Sequence, residues 1–449
     1  MCGERMEDNF YKNSLILIAS NLATGILGFI FSINLSKELG AEGMGVYGLI
    51  MPIYSLFLCL ICGGMVAAVS KEASKYFNKN DYSNLNKSIN TALFFDLIWA
   101  VTIGFLVFFI AKYISLNVLR DKRTLYSLWA ICPAFVFVGL SSILKGYFYG
   151  IGKVPIPAFI DIAEKAIRII ILNTIIVFFN LHDIKTTVTA AYIALAIGEL
   201  LSFILLISYY KQPKVSEAPN VKITSKKLEA RPQLLYNLLA ISFPLSINGF
   251  VSTIFSTIST IIVPRRLVET GISYNTALAM IGKFNGMALS IVLFPIVIIM
   301  SITTLLIPDL TKHIGKKDFY ALKKRIWQVL CLSLLIGLLT FFICVSIPDL
   351  LGLTFYSRTD LGSYIKAASI SAPILFLASS TFGILNGLGK QGIILRNSLI
   401  VSIEELILLY IFTGIPSINV YGYAISLLIT SLTLLILNLY ETYNYLSKL

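Results

Sequence analysis

The chain has 449 residues, of which 57% are hydrophobic and 13% charged, with a mean hydropathy of +0.83. A soluble domain carries roughly 25% charged residues, so this composition excludes a water-covered globule, and also a disordered, collagen-like or disulfide-built chain. Lys and Arg number 36 against 23 Asp and Glu, a net +13; the basic residues fall mostly between apolar runs, where they report membrane topology and not nucleic-acid binding.

The apolar runs are about 20 residues long, enough to cross roughly 30 Å of hydrocarbon as a helix. Twelve transmembrane spans are predicted, an all-α polytopic fold, over 13–36, 46–70, 90–112, 124–146, 158–180, 187–210, 236–263, 274–307, 325–348, 363–387, 395–413 and 421–445. The first run is too long for a cleavable signal and has no small-residue cleavage site. Pro52, Pro133, Pro244 and Pro295 interrupt spans, as is tolerated where neighbouring helices or a wet cavity satisfy the freed backbone groups. With the N-terminus inside, the inner segments carry 23 of the Lys and Arg residues and the outer segments 10. Both termini are therefore expected in the cytoplasm, the protein spanning the cell membrane.

In chain order, span 2 holds Cys59-x-x-Cys62, which could be a redox or metal pair. No second pair completes a site, and His182 and His313 sit in connections, so close helix packing is the expectation and no metal or cofactor is predicted. Span 3 carries Asp96 with no local partner. Span 5 carries Asp161, Glu164, Lys165 and Arg168, whose spacing predicts i,i+4 pairs Asp161–Lys165 and Glu164–Arg168. Glu199, mid-span 6, has no basic residue within a turn and needs an interhelical partner, for which Arg168 is the natural choice. The connection 211–235 is long, polar and basic, with Lys211, Lys214, Lys222, Lys226, Lys227 and Arg231; it reads as a solvated linker or an anionic-lipid contact. It divides a six-helix bundle over 1–210 from a second over 236–449.

The second half opens on Pro264-Arg265-Arg266 at the outer end of span 7, then Lys283 and Asn285 about two turns into span 8. These cations could be interfacial anchors. They also supply what a diphosphate head group crossing a membrane needs, a bidentate Arg grip and a Lys point charge. Span 11 adds Glu404 and Glu405, about 100° apart on the helix, which cannot both face one contact. Glu404, Glu405, Asp96 and the span 5–6 acids are candidates either for intramembrane ion pairs or for carrying a coupling ion.

The halves are related by an offset of 237 residues. Lys79-Asn80-Asp81-Tyr82 aligns with Lys316-Lys317-Asp318-Phe319, Lys87 with Lys324, and Gly146-x-x-x-Gly150-x-Gly152-Lys153 with Gly383-x-x-x-Gly387-x-Gly389-Lys390. Two loops matching at one offset indicate duplication. Six spans per repeat keep both halves the same way up, the parallel-repeat plan of secondary transporters. The glycine-lysine element is not a phosphate-binding P-loop, because Lys153 is followed by Val154 and Lys390 by Gln391 where Ser or Thr is required. Tight turning explains it.

Several stretches resemble the stage V sporulation protein B family: Gly40-Ala41-Glu42-Gly43-Met44-Gly45-Val46-Tyr47, Asp121-Lys122-Arg123-Thr124-Leu125-Tyr126, Ser141-Ser142-Ile143-Leu144-Lys145-Gly146-Tyr147-Phe148, Gly198-Glu199-Leu200 and Val263-Pro264-Arg265-Arg266-Leu267. They are spread over both halves. The resemblance implies the multidrug/oligosaccharidyl-lipid/polysaccharide flippase superfamily, a pair of six-helix bundles working by alternating access, and outward movement of a lipid-linked peptidoglycan precursor for the spore cortex. Lipid II flippases of that superfamily face the diphosphate with cavity arginines on spans 1, 2 and 8; of these only span 8 has a basic counterpart here, Lys283. The expected substrate is thus a lipid-linked oligosaccharide taken from the bilayer, with wall-synthesis proteins of sporulation as candidate partners. The alternative is a cation-coupled multidrug exporter, with Asp96, Asp161, Glu164 or Glu199 holding the ion. An integral membrane enzyme is disfavoured by outer connections that are all short.

Overall fold

In a hydrocarbon medium every backbone polar group must be satisfied within its own segment, and helices do this. The computed structural model, which describes residues 2–181, 183–212, 229–315 and 317–447, is helical throughout those residues apart from turns. His182 and the linker lysines Lys214, Lys222, Lys226 and Lys227 lie outside the described residues. The helices are α1 Cys2–Cys62, α2 Met65–Asn78, α3 Tyr82–Tyr113, α4 Leu125–Gly150, α5 Pro155–Phe179, α6 Ile184–Tyr210, α7 Arg231–Glu269, α8 Tyr274–Ile281, α9 Leu289–Leu293, α10 Ile296–Gly315, α11 Phe319–Ser346, α12 Pro348–Tyr356, α13 Gly362–Ser369, α14 Ala372–Gly387, α15 Gln391–Phe412 and α16 Gly422–Leu446. A π-helical turn, Gly282–Ala288, joins α8 to α9.

Among the described residues eight helical runs are long and apolar enough to cross a membrane, or nine with the bent pair α13–α14 counted as one. The first run, Leu15–Asn78, has 64 residues, more than one crossing at 1.5 Å per residue. It kinks at Gly40, whose φ of 65° lies in the left-handed region, and breaks again at Gly64. Helices α5 and α15 are also of spanning length but carry several charged residues each. Twelve crossings are compatible with this arrangement. The span predicted over 274–307 is interrupted by the π turn and by a break at Pro295, where the missing N–H and the ring forbid a regular helix.

The chain forms two compact units, Met1–Ser20 with Ile50–Ile254 and Asn21–Leu49 with Phe255–Leu449. Residues 21–49 thus group with the second half of the chain, and the first part of α7 with the first half. Each unit has an apolar centre between helices. In unit 1 it includes Val69, Ala73, Leu85, Ile89, Ala92, Tyr147 and Ile151; in unit 2 it is Leu306, Leu310, Leu322, Ile326, Val329, Ile384 and Leu388. Each of these seven in unit 2 lies 237 positions after its counterpart in unit 1.

The offset extends to backbone detail. Asp81 and Asp318 cap α3 and α11, accepting from Asn84 N at 3.2 Å and Ala321 N at 3.1 Å, a contact that satisfies one orphan donor of the first turn. Gly152 and Gly389 end α4 and α14 at φ 75° and 71°. The next residue then bonds back across the last turn, Lys153 N to Phe148 O at 2.8 Å and Lys390 N to Leu385 O at 2.9 Å, as in a left-handed helix cap. Nothing lies within 4 Å of where a Cβ would stand on either glycine, so alanine there meets only the backbone penalty. Gly152→Ala and Gly389→Ala are each expected to lower unfolding free energy by about 1–2 kcal/mol, read from denaturant unfolding in detergent; unchanged stability would contradict the cap assignment.

Candidate functional site

Two groups of paired charge stand out, one in each unit, the first buried and the second partly exposed. In unit 1, Glu164 and Arg168 on α5 pair one turn apart, and the same guanidinium reaches Glu199 of α6, Nη2 to Oε1 at 3.1 Å. The predicted Asp161–Lys165 pair is corrected. Asp161 bonds Lys145 of α4 at 2.6 Å, while Lys165 sits beside Glu164 at 3.1 Å. The cause is tertiary: α5 presents Asp161 towards α4, where a cross-helix cation comes closer than the residue one turn on. Three acids therefore meet three bases. Gly198 makes the space, because a Cβ there would lie 2.8 Å from Glu164 Oε1 and 3.4 Å from Arg168 Nε. In the Gly198-Glu199-Leu200 stretch the glycine supplies room and the glutamate the charge.

Asp96 on α3 belongs to neither group. It is fully buried, and among the described residues neither carboxylate oxygen has a hydrogen-bond partner. It occupies a space left by Gly139 of α4, where a Cβ would overlap Asp96 Oδ2 and come within 3.0 Å of Ile61. In the Cys59–Cys62 pair, Cys62 Sγ donates to Leu58 O one turn back at 3.2 Å, and Cys59 Sγ lies 3.4 Å from the Thr253 hydroxyl. Among the described residues no cluster of His, Cys, Asp and Glu could hold a metal ion.

In unit 2 the segment 41–45 of α1 crosses α8 at backbone contact distance. A Cβ on Gly45 would collide with Leu278 O, and one on Gly282 with Ala41 O; small residues allow such an approach. This is the work of the glycines in the Gly40–Tyr47 stretch. Immediately after the crossing, the π turn carries Lys283 and Asn285. Lys283 Nζ bonds Asp360 Oδ2 at 2.7 Å and lies 5.8 Å from the Tyr364 ring. Asn285 is hydrogen-bonded with Tyr423. Asp360 also takes a bidentate grip from Arg358, Nε to Oδ1 and Nη2 to Oδ2, both 2.8 Å. The hydrogen bonds from Arg358, with Lys283 adding to them, hold the Asp360 carboxyl well below the usual carboxylate range.

The other predicted cations have contacts of their own. Arg265 is half-buried. Arg266 lies over the Tyr410 ring at 4.1 Å, donates Nε to Tyr410 O at 3.0 Å and pairs with Glu269; its guanidinium anchors the end of α15. Glu404 accepts from the Thr433 hydroxyl at 2.9 Å, and Glu405 is half-buried on the same helix. A buried amide chain links α15, α16 and α14, Asn397 Nδ2 to Asn438 Oδ1 and Asn438 Nδ2 to Thr381 Oγ1, both 2.9 Å, and carries no charge to mark it in the sequence. Arg358 and Asp360, though charged, also went unmarked. Their signal was present in the repeat: Asp121 and Arg123 stand 237 residues earlier as the same kind of i,i+2 pair, with the order of charges reversed.

A family model described as polysaccharide biosynthesis protein matches residues 10–314, more than half of the chain. The chain belongs to that family. The match takes in the charge group of α5 and α6 as well as Lys283. Relatives include stage V sporulation protein B of Bacillus subtilis (strain 168), 25% identical over 424 residues, covering 94% of this chain and 81% of that one. The lipid II flippase MurJ of the same strain is 24% identical over 413 residues, covering 86% and 74%. Among solved structures, an inward-facing multidrug resistance MATE family transporter of the MOP superfamily superposes with a TM-score of 0.75 at 13% identity, covering 97% of this chain and 98% of that one. This polysaccharide biosynthesis family member therefore has the fold of that transporter, and its long apolar helices make it a multi-pass membrane protein.

Proposed function

We propose that the protein is a flippase that moves an undecaprenyl-diphosphate-linked wall precursor, a lipid II-like unit for spore cortex peptidoglycan, outward by alternating access. The observation that carries the reading is Lys283, a cation within a predicted span, set on a π turn of the kind that recurs at functional sites. A cation at that depth is costly unless it serves a pair or a polar path. Lys283 supplies a point charge to a phosphate, Asn285 a neutral donor, and Arg265 with Arg266 positive potential at the end of the preceding span. The similarity to a protein named a lipid II flippase supports the same substrate class. The excess of basic residues in alternate connections supports a cell-membrane location with both termini in the cytoplasm. Proteins of wall synthesis in sporulation would supply the substrate and receive it.

The deciding experiment reconstitutes the full chain in liposomes and follows outward movement of labelled lipid II. Protein-dependent movement is expected, falling at least tenfold in Lys283→Ala, as loss of a charge-assisted contact implies, and less in Arg265→Ala/Arg266→Ala. Absence of movement in the wild-type protein would remove the reading. A second reading, a cation-coupled multidrug exporter, is favoured by Asp96, a buried carboxyl without a hydrogen-bond partner among the described residues, which could bind a coupling ion. Ion-dependent uptake of a cationic dye, abolished in Asp96→Asn, would put that reading first.

A further inference from the structure

The outer corner of each repeat is built on the same turn. Asp121 N donates to Ser115 O at 3.0 Å in unit 1, and Arg358 N to Gly352 O at 3.2 Å in unit 2, 237 positions on. The residue before each, Arg120 and Ser357, has positive φ, 57° and 55°. On this shared frame the two ion pairs differ in kind. In unit 1 the Asp121 side chain is 4% exposed, caps the following turn by accepting from Arg123 N at 2.9 Å, and is matched by one cation, Arg123. In unit 2 the carboxylate has moved to the third position, is 43% exposed, and lies between two cations, Arg358 and Lys283. The first carboxylate is shut away from solvent. The second is held by two cations and is an anion that solvent can reach.

We infer that Lys283 and Arg358 form an oxyanion site that Asp360 fills in the absence of ligand, and that a phosphate or diphosphate group displaces Asp360 from it. The chemistry suits the exchange. A guanidinium fork that accepts a carboxylate bidentately accepts two phosphate oxygens in the same geometry, and an ammonium follows either anion. Asp360 lies in the loop between α12 and α13, so its release costs no packing inside a helix. The carboxylate thereby sets a threshold: a neutral or singly weak acceptor leaves the corner closed, whereas a doubly charged diphosphate outcompetes it. The identity of the carrier, a lipid, rests on the flippase reading above; the site itself does not.

The test uses the full chain in phosphatidylcholine nanodiscs, with equilibrium binding of farnesyl diphosphate, inorganic pyrophosphate and farnesol. Asp360→Asn keeps the shape and removes the competing charge, so it is expected to tighten farnesyl diphosphate about tenfold, a change in proportion to one charged hydrogen bond. Lys283→Gln and Arg358→Gln are expected to weaken it at least tenfold, and farnesol should not respond to any of the three. Tightening of pyrophosphate to the same degree would identify a site for the free anion; tightening confined to farnesyl diphosphate would identify a lipid head-group site. Unchanged or weaker diphosphate binding in Asp360→Asn, with a thermal midpoint equal to wild type, overturns the exchange. So does a failure of both proteins to bind any diphosphate. If affinity tightens as stated while lipid II does not move in liposomes, the anion site stands and the flippase reading falls; movement with no change in affinity gives the reverse.

Discussion

Arg168→Met is expected to cost about 3–5 kcal/mol of unfolding free energy, the range found when one partner of a buried ion pair is removed. The size follows from what the guanidinium holds. Glu164 is 5% and Glu199 15% exposed at the side chain, and both are bound to Arg168, so its loss leaves two carboxylates facing each other with little solvent to screen them. Lys165 and Lys145 stand nearby, but each already lies against another acid or shares Glu164. Arg168→Lys keeps the charge and loses the fork that lets one cation serve two helices, and should cost roughly half as much. Denaturant unfolding in mixed micelles gives the comparison. The triple variant Glu164→Gln/Arg168→Met/Glu199→Gln carries the sharper expectation: with the charges removed together, most of the stability returns, because a neutral, well-packed replacement is often as stable as the buried pair. If Arg168→Met unfolds within about 1 kcal/mol of wild type, the group is solvated and the description of it as a buried cluster is wrong.

The cluster also shows what a sequence discloses and what it withholds. The Glu164–Arg168 contact was legible because helix geometry alone brings i and i+4 together. Its extension to Glu199 followed from the absence of any nearer base. The partner of Asp161 was not legible, since Lys145 lies on another helix and only the packing of α4 against α5 decides that it outcompetes Lys165. The repeat behaved in the same way. Two loops betrayed it through Gly, Asp and Lys, residues with narrow local roles. The seven equivalent core positions did not, because Val69 and Leu306, or Ala73 and Leu310, are interchangeable ways of filling apolar space. The reversed corner pair Asp121–Arg123 and Arg358–Asp360 escaped notice for a related reason: an alignment seeks like with like, and an ion pair conserves its attraction when its two members trade places. Membrane character, by contrast, needed no tertiary information. Apolar length and the distribution of Lys and Arg are properties that the bilayer reads one segment at a time.

Close backbone approach is the feature that composition conceals most completely, and it leads to the second large effect. Gly282→Ala is expected to destabilise unit 2 by about 3 kcal/mol, at or above the upper part of the range for overpacking, and to abolish transport with it. The added methyl would be driven into Ala41 O and would lie 2.8 Å from Gly45 N. Both are main-chain atoms on a helix and cannot swing aside as a side chain can. The opposing surface has no slack either, because a Cβ on Gly45 would strike Leu278 O in the same way. Forcing the helices apart would also shift the π turn that begins at Gly282 and carries Lys283 one residue later. Diphosphate binding should therefore weaken along with stability, as a purely distant packing defect would not require. Gly28→Ala provides the control. Its Cβ would meet nothing within 4 Å, so the only change is the helix preference of alanine over glycine, about 0.5–1 kcal/mol in favour of the folded chain. Opposite signs for the two substitutions, measured side by side in detergent, are the expected result; equal and small effects would mean that α1 and α8 do not touch through their backbones.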